Sequence, residues 1–127
     1  MAGELILIVE DNEKNMKLVR DVLTARGYRT LEATSGEEAI EIAASAAPTL
    51  VLMDVRLPGI DGVETLGRLR RDASTASIPV LALTAQAMHG DRERFLSAGF
   101  DGYVAKPVDI VALVRTVEHH CESTTPS

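Results

Sequence analysis

The sequence predicts an α/β domain of three layers, a parallel β-sheet covered by helices on both faces. Two observations predict it. Apolar runs at Leu5–Val9, Leu50–Met53 and Val80–Leu83, with weaker ones at Tyr28–Ala33 and Gly102–Ala105, have the length and content of strands. Each run is followed by a stretch with helical spacing, so a β-α unit recurs about five times. Such repeats return each strand right-handed and parallel to a neighbour.

Taken in order, the first helical stretch places Met16, Val19 and Leu23 on one face, and Gly27 stands where the helix should end. Lys14, Lys17 and Arg20 occupy its polar side. The second strand carries Arg29 and Glu32 and suits a sheet edge, whereas Leu5–Val9 and Val80–Leu83 are apolar throughout, as strands buried on both faces must be. Ser35 followed by Glu38 predicts a capping box before Ala39, Ile40 and Ala43; Asp61 with Glu64 predicts another before Leu66 and Leu69. The fourth helix includes Met88, His89 and Gly90, and a glycine there costs about 1 kcal/mol relative to alanine, which marks it as the mobile element. The last helix is expected from about Asp109, with Ile110, Leu113, Val114 and Val117 inward.

At 127 residues and 46% hydrophobic the chain is the size of one domain, expected over residues 1–121 with a polar tail at 122–127. A net charge of -6 and a pI near 5.0 argue against direct nucleic-acid binding, which needs clustered Lys and Arg. Cys121 is the lone cysteine, so no intrachain disulfide can form, and a cytoplasmic location is expected. The apolar runs are too short to cross a bilayer and the first residues lack the basic start of a signal peptide, so no membrane role is expected.

In a sheet of this kind ligands bind at the carboxyl ends of the strands. Those ends carry Glu10 and Asp11 after the first strand, Asp54 after the third, Thr84 after the fourth and Lys106 after the fifth. Three carboxylates that converge repel one another unless a cation neutralises them, and their hard oxygens suit Mg²⁺, or Mn²⁺ in its place. Phosphoryl transfer needs mainly positioning and charge neutralisation: a carboxylate nucleophile, a divalent metal, and Lys and hydroxyl donors. All of these groups are present.

Four segments carry a resemblance: LILIVEDNEKN (5–15), LVLMDVRLPGIDG (50–62), VLALTAQA (80–87) and GYVAKP (102–107). In this order and spacing they resemble the receiver domain of bacterial two-component response regulators, the CheY-like family, over essentially the whole chain. EDNEKNMKL and LTAQAMHGDRERF resemble in particular the DivK-type single-domain regulators. The resemblance implies a flavodoxin-like five-stranded sheet in the order 2-1-3-4-5 with five helices. It implies that Asp54 is the phosphoacceptor, and that Glu10, Asp11, Asp54 and the backbone carbonyl of Arg56 hold the metal. Asp11 would ligate directly and the longer Glu10 through a water. Lys106 would pair with the phosphoryl group, with a cis peptide bond before Pro107. Thr84 and Tyr103 match the family's switch pair. The implied donor is a sensor histidine kinase or histidine phosphotransferase. The implied output is a protein target bound on the face of the fourth helix, fifth strand and fifth helix. Arg56 and Gln86 would flank the path of an attacking water and so set the phosphate lifetime.

Plainer readings stand beside these. Glu10 and Asp11 alone would read as a solvated loop, and only their combination with Asp54 and Lys106 favours chemistry. Thr84 could serve as an N-cap, and Tyr103 could be a half-buried edge aromatic. Arg68, Arg70 and Arg71 read as a solvated helix face, and His89, His119 and His120 as surface residues without metal-ligand spacing. An aspartyl-phosphate hydrolase would place a second Asp two residues beyond the nucleophile, where Arg56 stands. A nucleotide or flavin site would need a Gly-rich loop or stacking aromatics, against 3% aromatic content. Against a receiver-like binding domain that has lost phosphorylation, no member of the acceptor set is missing, although retained residues do not prove retained use. The expected role is a signalling switch rather than an enzyme acting on a metabolite.

Overall fold

The computed structural model describes residues 3–84 and 91–124. Five β-α units run β1 (Leu5–Val9), α1 (Glu13–Ala25), β2 (Arg29–Ala33), α2 (Gly36–Ala46), β3 (Leu50–Asp54), α3 (Gly62–Arg71), β4 (Val80–Thr84), α4 (Asp91–Ala98), β5 (Gly102–Ala105) and α5 (Ile110–Thr124). The strands are all parallel in the order β2-β1-β3-β4-β5. The expected α/β class, strand order and edge position of the second strand are thus all observed. Met88, His89, Gly90 and Gln86 lie outside the described residues.

The central strands β1, β3 and β4 are apolar because both their faces are covered. Ile6, Ile8, Leu50, Leu52, Leu81 and Leu83 pack with Met16, Val19 and Leu23 of α1 and Leu113 and Val117 of α5. On the other face Leu7, Val51, Met53 and Ala82 meet Ala39 and Ala43 of α2 and Leu66 and Leu69 of α3. Full burial of each such Leu or Ile contributes roughly 1.5–3 kcal/mol. Among the described residues no helix is long and apolar enough to cross a membrane.

Local signals explain most helix boundaries. Asn12 caps α1 by accepting from the Asn15 amide at 3.1 Å, and Gly27, at φ +90, turns the chain into β2. Ser35 accepts from the Glu38 amide at 3.2 Å, while the Glu38 carboxylate reaches back to the Thr34 amide at 2.7 Å, so the predicted box forms one residue early. The second box is only half formed. Asp61 accepts from the Glu64 amide at 2.8 Å, but Glu64 itself turns to Arg68, one helical turn on, at 2.6 Å. Asp109 caps α5 through the Val111 and Ala112 amides. That helix continues to Thr124, into the stretch expected as a tail.

Three residues differ from expectation. Ile110 is 51% exposed rather than inward, because residues 110–112, the first turn of α5, are all exposed and the buried face of the helix begins at Leu113. Arg70 is no solvated side chain: its guanidinium donates to the carbonyls of Ala76 and Ile78 and to the Asp101 carboxylate, the last at 2.9 Å. His120 is half-buried, its ring nitrogens 2.8 Å from the Thr116 carbonyl and 3.1 Å from that of Asp101. Together Arg70 and His120 tie α3 and α5 to the amino end of β5, the end remote from the carboxylates.

Candidate functional site

Register brings the predicted residues together. Val9 pairs with Met53, which places Glu10 level with Asp54. Asp54 pairs with Leu83, one step before Thr84, and Thr84 pairs with Ala105, one step before Lys106. The carboxyl ends of four strand segments therefore meet at one rim. Oxygens of Glu10, Asp11 and Asp54 lie within 4.8 Å of one another.

Burial divides these groups by task. Glu10 and Asp54 are buried and Asp11 is exposed. The Lys106 ammonium bridges the buried pair, donating to Glu10 at 2.9 and 3.2 Å and to Asp54 Oδ2 at 2.8 Å. The Arg56 amide donates to Asp54 Oδ1 at 3.0 Å, so both oxygens of Asp54 are engaged. The Lys106–Pro107 peptide is cis. Asn15, in the first turn of α1, donates to Glu10 Oε1 at 2.8 Å. Sequence reasoning assigned Asn15 no role; its place three residues after the Asn12 cap was the available signal, since that turn faces back toward the end of β1.

The electrostatics follow from crowding in a poorly solvated place. Burial raises the Glu10 carboxyl to about 7, assisted by its hydrogen bond with Asp54 and opposed by Lys106 and Asn15. Burial also acts to raise Asp54, but hydrogen bonds with Glu10, Lys106 and the Arg56 amide outweigh it and hold that carboxyl below its ordinary value. Burial alone would lower Lys106, and its bonds to Asp54 and Glu10 reverse that and raise it. Asp54 thus stays an anion and Glu10 accommodates the excess charge. Three clustered carboxyl groups, of which one ammonium bridges only Glu10 and Asp54, leave negative charge uncompensated, and their hard oxygens fit a Mg²⁺-sized divalent ion.

Thr84 is buried at the end of β4, and its carbonyl accepts from the Lys106 amide at 2.8 Å. Tyr103 is half-buried on β5, where it packs against the α2 and α3 side of the core. It also lines a cavity of about 450 Å³ with Leu96 of α4 and Thr116 and His119 of α5. Arg56 is exposed, and its backbone amide is the part that touches Asp54. Partial burial of Tyr103 accords equally with a switch and with a plain edge aromatic.

Comparison with known proteins agrees with this geometry. The response regulator receiver domain family matches residues 6–118. The polar-differentiation response regulator DivK of Brucella ovis is 43% identical over 115 residues, covering 91% of this chain and 94% of the relative. The receiver domain of the sensor histidine kinase PA1611 from Pseudomonas aeruginosa superposes with a TM-score of 0.87 at 36% identity, over 95% of this chain and 99% of that one; it has a magnesium ion coordinated in its active-site cleft. The receiver domain of a signal transduction histidine kinase from Syntrophus aciditrophicus gives a TM-score of 0.88 at 29% identity, over 98% and 95% of the two chains.

Proposed function

From the premise that the chain belongs to the response regulator receiver domain family and is DivK-like, we propose that it is a phosphorelay switch whose phosphoacceptor is Asp54. The observation that carries this reading is the cluster in which one ammonium, Lys106, holds both Asp54 and Glu10 at the rim of the sheet. Asp54 is the carboxylate kept ionised there, as a nucleophile must be. An Asp54 oxygen attacks the phosphorus of a phosphohistidine on a kinase or phosphotransferase. A P–O bond forms, the P–N bond breaks, and the imidazole departs with its electron pair.

Glu10, Asp11, Asp54 and the Arg56 carbonyl would hold Mg²⁺, with Asp11 bound directly and Glu10 through a water. Mg²⁺ so bound supplies neutralisation of charge on the phosphoryl oxygens. Lys106, already 2.8 Å from Asp54, would transfer its hydrogen bond to a phosphoryl oxygen. The Thr84 hydroxyl would bond another, and Tyr103 would turn into the space vacated, altering the α4-β5-α5 face for a protein target. The exposed Leu96 and Ile110 fall within the elements of that face. The switch assists its own phosphorylation and dephosphorylation without a separate metabolite as substrate.

Intact mass after incubation with Mg²⁺ and acetyl phosphate tests this. One added phosphoryl group on wild type and none on Asp54→Asn is the expected result. No addition to wild type, under conditions that label another receiver, would favour a binding domain that works without phosphate.

A further inference from the structure

Gly62, the first residue of α3, is buried where that helix meets the end of β3. A Cβ built there would lie 2.5 Å from the Asp54 carbonyl oxygen, 2.8 Å from Val55 Cα and 3.2 Å from the Val55 carbonyl oxygen. All three are backbone atoms, so no rotamer change relieves the clash. At Gly67, five residues on in the same helix, an added Cβ meets nothing within 4 Å. The demand for glycine at 62 is therefore one of space, set by the phosphoacceptor's own peptide.

The contact is strapped on both sides. The Gly62 amide donates to the Val55 carbonyl at 2.8 Å, and the Val55 amide donates to the Leu83 carbonyl at 3.1 Å. Between these two bonds the loop from Val55 to Asp61 leaves the sheet and returns. Its second residue, Arg56, gives its amide to Asp54 Oδ1.

We infer that Gly62 is a positioning residue for the phosphoryl site: the absent side chain lets α3 bear on the Asp54–Val55 peptide, and that bearing sets where Arg56 presents its backbone to Asp54. This rests on the reading of Asp54 and the Arg56 carbonyl as part of a Mg²⁺ and phosphoryl site. An alanine must widen the 2.5 Å contact to at least 3.0 Å, below which real Cβ contacts essentially do not occur. Displacement on that scale at the supports of a metal site reduces affinity by roughly ten- to a hundredfold.

The test compares Gly62→Ala with Gly67→Ala and with Leu69→Ala, a core truncation on the same helix that lowers stability without touching the loop. Three quantities are read well below every unfolding transition: Mg²⁺ affinity by calorimetry, hydrogen exchange of the Arg56 amide in metal-free protein, and phosphorylation rate at saturating Mg²⁺. Gly62→Ala is expected to weaken Mg²⁺ binding at least about tenfold and to speed Arg56 exchange, while the other two stay near wild type. Wild-type affinity and exchange in folded Gly62→Ala would overturn the inference, as would an equal loss in Leu69→Ala. Should Gly62→Ala not fold, Asp61→Ala decides, because it loosens the same helix start. Weaker Mg²⁺ binding that Asp61→Asn restores supports the inference, and unchanged binding overturns it. A wild type that binds Mg²⁺ yet takes no phosphoryl group would count against the phosphoacceptor reading, and the binding and exchange results would still decide on Gly62.

Discussion

The Lys106 ammonium donates to both oxygens of Glu10, at 2.9 and 3.2 Å, and to Asp54 Oδ2 at 2.8 Å. In the metal-free protein this one cation partly neutralises two buried carboxylates. Replacing Lys106 with Met keeps the aliphatic stem and removes the charge, leaving the acidic cluster more negative. At the few ångströms involved, a unit charge is worth about 1–4 kcal/mol between water-like and protein-like screening. Lys106→Met should therefore bind Mg²⁺ at least about fivefold more tightly while losing the coupling of phosphorylation to partner binding. A calorimetric Mg²⁺ titration checks the first part, and weaker binding in the variant would contradict it.

Arg70 and Asp101 join the end of α3 to the start of β5 across 2.9 Å, and Asp101 also accepts from the Val80 amide at 2.8 Å. Truncation to alanine strips donors from the Ala76 and Ile78 carbonyls and leaves the carboxylate without its cation. Losing charge-assisted bonds of this kind costs about 2 kcal/mol. Arg70→Lys should recover little, since one ammonium cannot span acceptors that the planar guanidinium reaches together. Urea unfolding of both variants measures this; a loss within experimental error for Arg70→Ala would show the clasp to be inert.

What the chain reveals before folding is mainly periodic. Runs such as Leu5–Val9 and faces such as Met16, Val19 and Leu23 are dictated by burial, so the strands, the edge position of the second and the rim carrying Glu10, Asp54 and Lys106 follow from pattern, whereas the strand order comes from the family resemblance. Arg70 escaped because its acceptors are the backbone carbonyls of Ala76 and Ile78 and a carboxylate 31 residues away, none of which side-chain periodicity encodes. Ile110 escaped for a different reason: it has the apolar character and spacing of an inward residue, but it sits in an exposed first turn of α5, one turn before the buried face begins at Leu113. Gly62 was visible as a letter in a motif, and its reason was not, since close approach to Asp54 exists only once α3 and β3 are packed.

A ligand that binds the folded state alone stabilises it by mass action. At a hundredfold excess over its dissociation constant Mg²⁺ should add about 2.7 kcal/mol. For a domain of this size that is a rise of roughly 8 °C in the unfolding midpoint. EDTA should abolish the rise, and Asp54→Asn or Asp11→Ala should shrink it by removing one oxygen anion from the set. Differential scanning calorimetry with and without Mg²⁺ reads this out, and a midpoint indifferent to the metal would count against the carboxylate cluster as a Mg²⁺ site.

Arg56 stands two residues beyond Asp54 with its side chain exposed, while its amide is committed to the Asp54 carboxylate. Hydrolysis of an aspartyl phosphate requires water to reach the phosphorus in line, from the side away from the Asp54 oxygen. A long side chain that turned from this position toward Asp54 would narrow that approach, and its positive charge favours contact with the phosphoryl oxygens over withdrawal into solvent. Arg56→Ala opens the path and leaves the backbone ligand in place. The phosphorylated variant should lose its phosphoryl group several-fold faster than wild type, a barrier change of about 1 kcal/mol. Loss of the 80 Da adduct with time by intact mass, after removal of the phosphodonor, measures both rates. A longer-lived phosphate in Arg56→Ala would mean that this side chain assists the attacking water instead of excluding it.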